Sequence, residues 1–224
     1  MARAKTTRNL FDLKHAYFPL TGIWQQALGN EVDKNGIWLI YGKEKNGKTT
    51  FALKLAQYLA SLEPVLYVSA EEGYSAPFKS AIIRSGIEVS DNINWLEYEH
   101  IDDLVARLRK PKSRPIVFVD NLTKYEGEIT KKFLKDLPEL FPNKLFVFLA
   151  HEERNEPYLS SGKQAKKLAK LIVRVEGLRC AFSGRYGGPG IEMRINEKVA
   201  SLIFGTDKTE DYEDAHEICH EINE

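Results

Sequence analysis

The sequence predicts an α/β fold: a mostly parallel central sheet flanked by helices, with antiparallel hairpin strands at its C-terminal end. Three observations carry this expectation. Residues 37 to 150 alternate short apolar runs with stretches of helical period. Those runs are continuously apolar, as in strands covered on both faces. After Leu171 the runs are joined by turns, with no helical stretch between them. Strand alternating with helix places a ligand site at the C-terminal ends of the strands.

The first strand begins at Ile37 and runs into Gly42-x-x-x-x-Gly47-Lys48-Thr49, the phosphate-loop pattern. Gly42 and Gly47 let the backbone of Lys43, Glu44, Lys45 and Asn46 close around phosphate oxygens, and the helix that opens at Lys48, Thr49 and Thr50 adds its N-terminal potential. Lys48 is expected to reach β- and γ-phosphates and Thr49 to offer a hydroxyl to Mg²⁺. ATP with Mg²⁺ is therefore the expected ligand pair. A helix follows from Thr49 to Ser61, then a strand over Val65 to Ser69, a helix over Ala76 to Ser85 and a short strand from Asn94 to Tyr98. Helix Ile101 to Lys110, strand Ile116 to Val119, helix Ile129 to Leu140 and strand Leu145 to Ala150 complete the alternating region. Leu171 to Val175, Arg179 to Ser183, Ile191 to Ile195 and Val199 to Phe204 are the hairpin strands.

A chain of 224 residues with 43% hydrophobic content supports one well-cored domain. Lys plus Arg and Asp plus Glu number 32 each, so overall charge argues for neither a nucleic acid nor a membrane. Residues 207 to 224 hold eight acids and one lysine, net −7, which leaves +7 for residues 1 to 206. The expected organisation is an N-terminal arm over 1–20, a nucleotide-binding core over 21–206 and an acidic tail over 207–224. No apolar stretch nears the ~20 residues of a membrane span, and two cysteines make no disulfide framework. A cytoplasmic location is expected.

Asp120 ends the strand Ile116 to Val119 and is the expected Mg²⁺ carboxylate, placed beside the phosphate loop when its strand neighbours the first. Asn121 follows it, where some motor classes carry a glutamate that orients water. Another strand must then supply the base, and Glu71, with Glu72 in reserve, closes the strand Val65 to Ser69.

These features together resemble the RecA-like ATPases, the family of RecA, RadA, KaiC and the DnaB-type helicases, and above all its compact single-domain phage and mobile-element members. The resemblance covers about residues 20 to 205. It implies Lys48 and Thr49 at phosphate and metal, Asp120 behind the metal and Glu71 as water-activating base. His151, after the strand Leu145 to Ala150, lies where the family often has a glutamine that senses γ-phosphate. Arg185, in Ser183-Gly-Arg-Tyr-Gly-Gly-Pro-Gly190, resembles the arginine finger that reaches a neighbouring subunit's nucleotide, with Ser183 in place of the usual lysine. The resemblance thus implies self-assembly, as a hexameric ring or filament with shared ATP sites.

Residues 152 to 167 occupy the place of a mobile DNA-facing loop, where Arg154, Tyr158, Lys163, Lys166 and Lys167 are candidates for contact with single-stranded DNA. Lys163 to Lys170 equally reads as the exposed face of a helix. His216-Glu217-Ile-Cys-His220 matches a zinc-protease pattern, yet no third ligand or second half of a cleft accompanies it, so a polar terminal helix is expected. The functions left standing are a DNA-acting ATPase, a KaiC-like regulatory or scaffold ATPase without nucleic acid, and a small-molecule kinase. The last needs an arginine-rich lid that is not evident.

Overall fold

The computed structural model describes residues 4–89, 92–186 and 192–195. The expected strand over Val199 to Phe204, most of the glycine-rich turn after Arg185, the acidic tail and its His216–His220 pair lie outside those residues.

The central element is β1 (Gly36–Gly42), buried along nearly all its length. It pairs in parallel with β5 (Leu145–Glu153) on one side and with β7 (Leu171–Glu176) on the other. Beyond β5 lie β4 (Ile116–Asp120), β2 (Val65–Ser69) and β3 (Ile93–Glu97), all parallel. Beyond β7 the sheet turns antiparallel through β8 (Arg179–Gly184) and β9 (Glu192–Arg194). A short β6 (Glu156–Pro157) folds back on the end of β5. The sheet is thus mostly parallel with antiparallel strands at its C-terminal edge.

The strand order corrects one expectation. β5 lies between β1 and β4, so the strand of Asp120 is not the neighbour of the first strand. Asp120 is also the last residue of β4 itself. The short strand expected over Asn94 to Tyr98 sits one residue earlier, where Ile93 fills the core and Glu97 stays exposed.

Alternate side chains of β1 feed two cores. Trp38 and Ile40 pack with Phe51, Leu55 and Leu59 of α3 (Lys48–Ala60), Ala27 and Leu28 of α2 (Gly22–Leu28) and Phe78 of α4 (Ala76–Arg84). Ile37, Leu39 and Tyr41 pack on the opposite face with Leu104 of α5 (Ile101–Leu108), Leu134 and Leu137 of α6 (Lys131–Leu140) and Ala165 of α7 (Ser160–Leu168). Burying both faces removes water from a sheet whose strands offer almost no polar side chain, the main source of its stability.

Local signals start the helices where these faces need them. Ser75 caps α4 by accepting from the Phe78 N–H, and Thr130 caps α6 by accepting from the Phe133 N–H. Thr6 and Asn9 cap a short α1 (Thr7–Phe11), none of whose residues is buried. Further along, Phe18 and Leu20 enter the core. The segment expected as a mobile loop over 152–167 is instead ordered as the end of β5, β6 and most of α7, whose lysines recur at helical spacing. Among the described residues no helix is long and apolar enough to cross a membrane.

Candidate functional site

The phosphate loop leaves β1 at Gly42 and enters α3 at Lys48. A Cβ on Gly42 would collide with the Val175 carbonyl of β7, and one on Gly47, whose φ is +95°, would collide with the Leu178 side chain. Both glycines are therefore required by close approach, and the second also by a backbone region that L side chains rarely adopt. The turn between β7 and β8 holds the loop from outside. Asn46 accepts from the Gly177 N–H through Oδ1 at 2.8 Å and from the Leu178 N–H through its carbonyl at 3.2 Å.

The loop floors a cleft of about 640 Å³ lined by Glu44 to Thr50, Glu71, Glu72, Asp120, Asn121 and His151, with Pro77, Ala81 and Arg84 of α4 along one wall. Lys48 is buried and donates to the Lys43 carbonyl at 2.7 Å. Burial pulls its ammonium below the ordinary lysine range, while Asp120 and Glu71 act in the opposite sense. Thr49 donates its hydroxyl to Asp120 Oδ2 at 3.1 Å. The two residues meet although β5 separates their strands, because Asp120 projects from the C-terminal end of β4 toward the start of α3.

Asp120 also accepts from the Tyr67 hydroxyl at 2.8 Å on the same oxygen. Burial raises its carboxyl to about 6; the two hydroxyl hydrogen bonds lower it, and Glu71 and Glu72 raise it further. A buried carboxylate held near neutrality in this way gains from a nearby cation. With the Thr49 hydroxyl it forms a hard-oxygen pair suited to Mg²⁺, which takes few protein ligands and completes its shell with water and phosphate. Among the described residues no cluster of three or more His, Cys, Asp or Glu could hold a metal by itself, in keeping with a metal brought in by its nucleotide.

Glu71 leaves β2 two residues beyond Ser69, and its backbone N–H donates to the Asp120 carbonyl at 3.1 Å. Its Oε1 lies 3.5 Å from His151 Nε2 and its Oε2 accepts from Asn121 Nδ2. Contact with His151, with Lys48 and Lys124 farther off, holds its carboxyl below the usual range against the opposing effect of burial. His151 lies opposite Gly42 in the β1–β5 register, which sets it beside the phosphate loop. Glu71, His151, Lys48, Thr49 and Asp120 thus share one cleft.

Arg185 does not join them. Its backbone N–H donates to the Lys170 carbonyl at 2.7 Å, and Gly184 pairs with Leu171, at the end of the sheet where β1 begins. From there to Gly42 β1 rises six residues, about 20 Å at ~3.3 Å each, much farther than an arginine side chain extends.

Of the residues picked out for nucleic acid, Arg154, Tyr158, Lys163 and Lys167 are exposed. Lys166 is engaged internally, 2.9 Å from Glu156 Oε1 and over the Tyr41 ring at 4.9 Å. Sequence reading missed Tyr67, Asn121 and the Gly177–Leu178 turn. Only the polar residue directly after Asp120 offered a local signal.

No protein-family model matches the chain, and no curated protein matches it in sequence. Among solved structures it is similar to the ATPase domain of a DnaB-like helicase, with 17% identity over 75% of this chain and 83% of that one, at a TM-score of 0.55. It is also similar to the KaiC-like protein PH0186 of Pyrococcus horikoshii OT3, with 13% identity over 81% and 91% of the two chains and a TM-score of 0.53. At such identities the likeness is one of architecture, and together with the strand order and the phosphate loop it gives the chain the fold of the RecA-like P-loop ATPases.

Proposed function

We propose that the protein hydrolyses ATP with Mg²⁺ at a site shared between neighbouring copies, in an assembly that acts on single-stranded DNA. The observation that carries the reading is the convergence of Lys48, Thr49, Asp120 and Glu71 in one cleft from a loop and two separate strands. In this reading Lys48 neutralises the β- and γ-phosphates, Thr49 contributes an oxygen to the metal and Asp120 binds the metal's water. Mg²⁺, when bound, supplies charge neutralisation across the β- and γ-oxygens. Glu71 takes a proton from the attacking water, and the products are ADP and phosphate. Residues 21–206 would form the ATPase core, between an arm over 1–20 and a tail over 207–224, and the protein would work in the cytoplasm.

The separation of Arg185 from its own phosphate loop supports action in trans, on the γ-phosphate of a neighbour, where a guanidinium can donate two parallel hydrogen bonds. The DNA part of the reading rests on the exposed Arg154, Tyr158, Lys163 and Lys167. One observation favours a second reading, a regulatory or scaffold ATPase without nucleic acid: Lys166 is paired within the fold, and Glu153 and Glu156 accompany the exposed cations. ATPase rate with and without single-stranded DNA distinguishes the two. Stimulation supports the DNA-acting assembly, whereas an unchanged rate together with no DNA retention at low salt refutes it and leaves the second reading.

A further inference from the structure

Asn121 is one of the most deeply buried polar side chains in the molecule, 1% exposed, and it sits between the two groups whose cooperation the proposed hydrolysis requires. Its orientation is not ambiguous. Oδ1 accepts from the Thr123 N–H at 2.8 Å, opening the 3-10 turn Leu122–Tyr125, and a backbone N–H can only donate. Nδ2 therefore faces the cleft, where it donates to Glu71 Oε2 and lies 2.9 Å from His151 Nε2. An amide carries two hydrogens, so both contacts can be made at once, provided that His151 presents a lone pair at Nε2.

His151 Nε2 faces a second partner, Glu71 Oε1, at 3.5 Å. Serving that carboxylate requires a hydrogen on Nε2, whereas serving Asn121 requires a lone pair there. The ring cannot do both in one tautomer. In the arrangement that suits Asn121 the hydrogen sits on Nδ1, which is buried and has no hydrogen-bond partner among the described residues. Neither arrangement satisfies every group, so a new contact to the ring is able to tip the balance.

We propose that Asn121 is a positioning residue that aligns Glu71 and links its orientation to His151, so that a contact made by His151 in the cleft is transmitted to the base through one amide. The inference rests on the reading of Glu71 as the base. Asn121 touches no substrate atom in this scheme. It acts by fixing where the carboxylate stands, and displacement of a catalytic group by an ångström is enough to cost about a hundredfold in rate.

The test uses the full chain carrying Asn121→Asp, Asn121→Ala, His151→Ala and Glu71→Gln, with ATPase turnover and binding of a fluorescent ATP analogue read separately. Asn121→Asp keeps the acceptor for Thr123 and the shape of the side chain but opposes Glu71 with a second carboxylate, so it folds even if the alanine variant does not. Expected are at least about tenfold slower turnover for Asn121→Asp and analogue affinity within about twofold of the parent. The Asn121→Asp/His151→Ala pair should lose little more than the worse single variant, because the two act as a unit. Parental turnover in Asn121→Asp, with Glu71→Gln inactive, overturns the inference alone. Loss of analogue affinity in step with turnover, or fully additive losses in the pair, also overturns it. Parental turnover in Glu71→Gln refutes the underlying assignment of the base instead.

Discussion

Replacing Asp120 by asparagine should make the nucleotide-free protein more stable while abolishing its Mg²⁺-dependent chemistry. The hydroxyls of Tyr67 and Thr49 both donate to Oδ2, so an asparagine with its carbonyl oxygen at that position retains both hydrogen bonds. What disappears is a buried charge. Burial raises the Asp120 carboxyl from 3.8 to about 6, outweighing the two donors. A carboxyl raised by folding contributes no penalty below its unfolded value, and stability falls as pH rises from there through the folded value. At about 1.4 kcal/mol per pH unit, the ionised carboxylate costs about 3 kcal/mol above pH ~6. Urea denaturation without nucleotide or metal should therefore show Asp120→Asn more stable than the parent by that amount near pH ~7.5, with the gap closing by pH ~4. Equal or lower stability of the variant near neutrality, or a gap indifferent to pH, would refute the reasoning. The cost is one a bound cation offsets, as expected of a site whose groups are arranged for a ligand and not for the empty state.

Lys48→Ala should lose nucleotide binding, whereas Glu71→Gln should bind the ATP analogue like the parent and stop turning over; an active Glu71→Gln removes it as the base. Arg185→Ala and Glu71→Gln, each inactive alone, should recover about one quarter of parental activity when mixed equally, since a head-to-tail interface takes its cleft from one copy and its finger from the next. No recovery counts against action in trans. Gly42→Ala should cost about 1–3 kcal/mol and weaken nucleotide binding, because its methyl group must displace the Val175 carbonyl of a core strand; thermal unfolding and analogue titration check both. If residues 154–167 bind DNA, Lys163→Ala and Lys167→Ala should each flatten the salt dependence of binding by about one phosphate contact, while Lys166→Ala leaves that slope unchanged.

The phosphate loop, the parallel strands and the ends of most helices were legible because their signals are local: glycine spacing, continuous apolar runs and capping residues within a few positions of one another. Glu71 and His151 were reachable on the same terms, since each stands where a strand stops. Asp120 was identified by its strand end, but its neighbour was not, because strand order depends on which faces the helices cover, and no single segment encodes it. Asn121 stood out only as the absence of a glutamate. Its donation to Glu71 depends on β2, β4 and β5 lying in register, and that is a property of the assembled sheet. Lys166 illustrates the same limit from the surface: its charge is plain in the sequence, but its engagement with Glu156 and Tyr41 requires α7 to cross the end of β1.

The hairpin of β7 and β8 has its turn against the phosphate loop, through Asn46, and its far end at Arg185. Its paired strands run about 17 Å between those points, a length that a hydrogen-bonded ladder spans with little compliance. In a head-to-tail assembly such a hairpin is a push rod: displacement of one copy's loop by its nucleotide moves the guanidinium offered to the next. Firing would then pass in one direction around a ring or along a filament, set by the polarity of the rod rather than by any further signal between the sites.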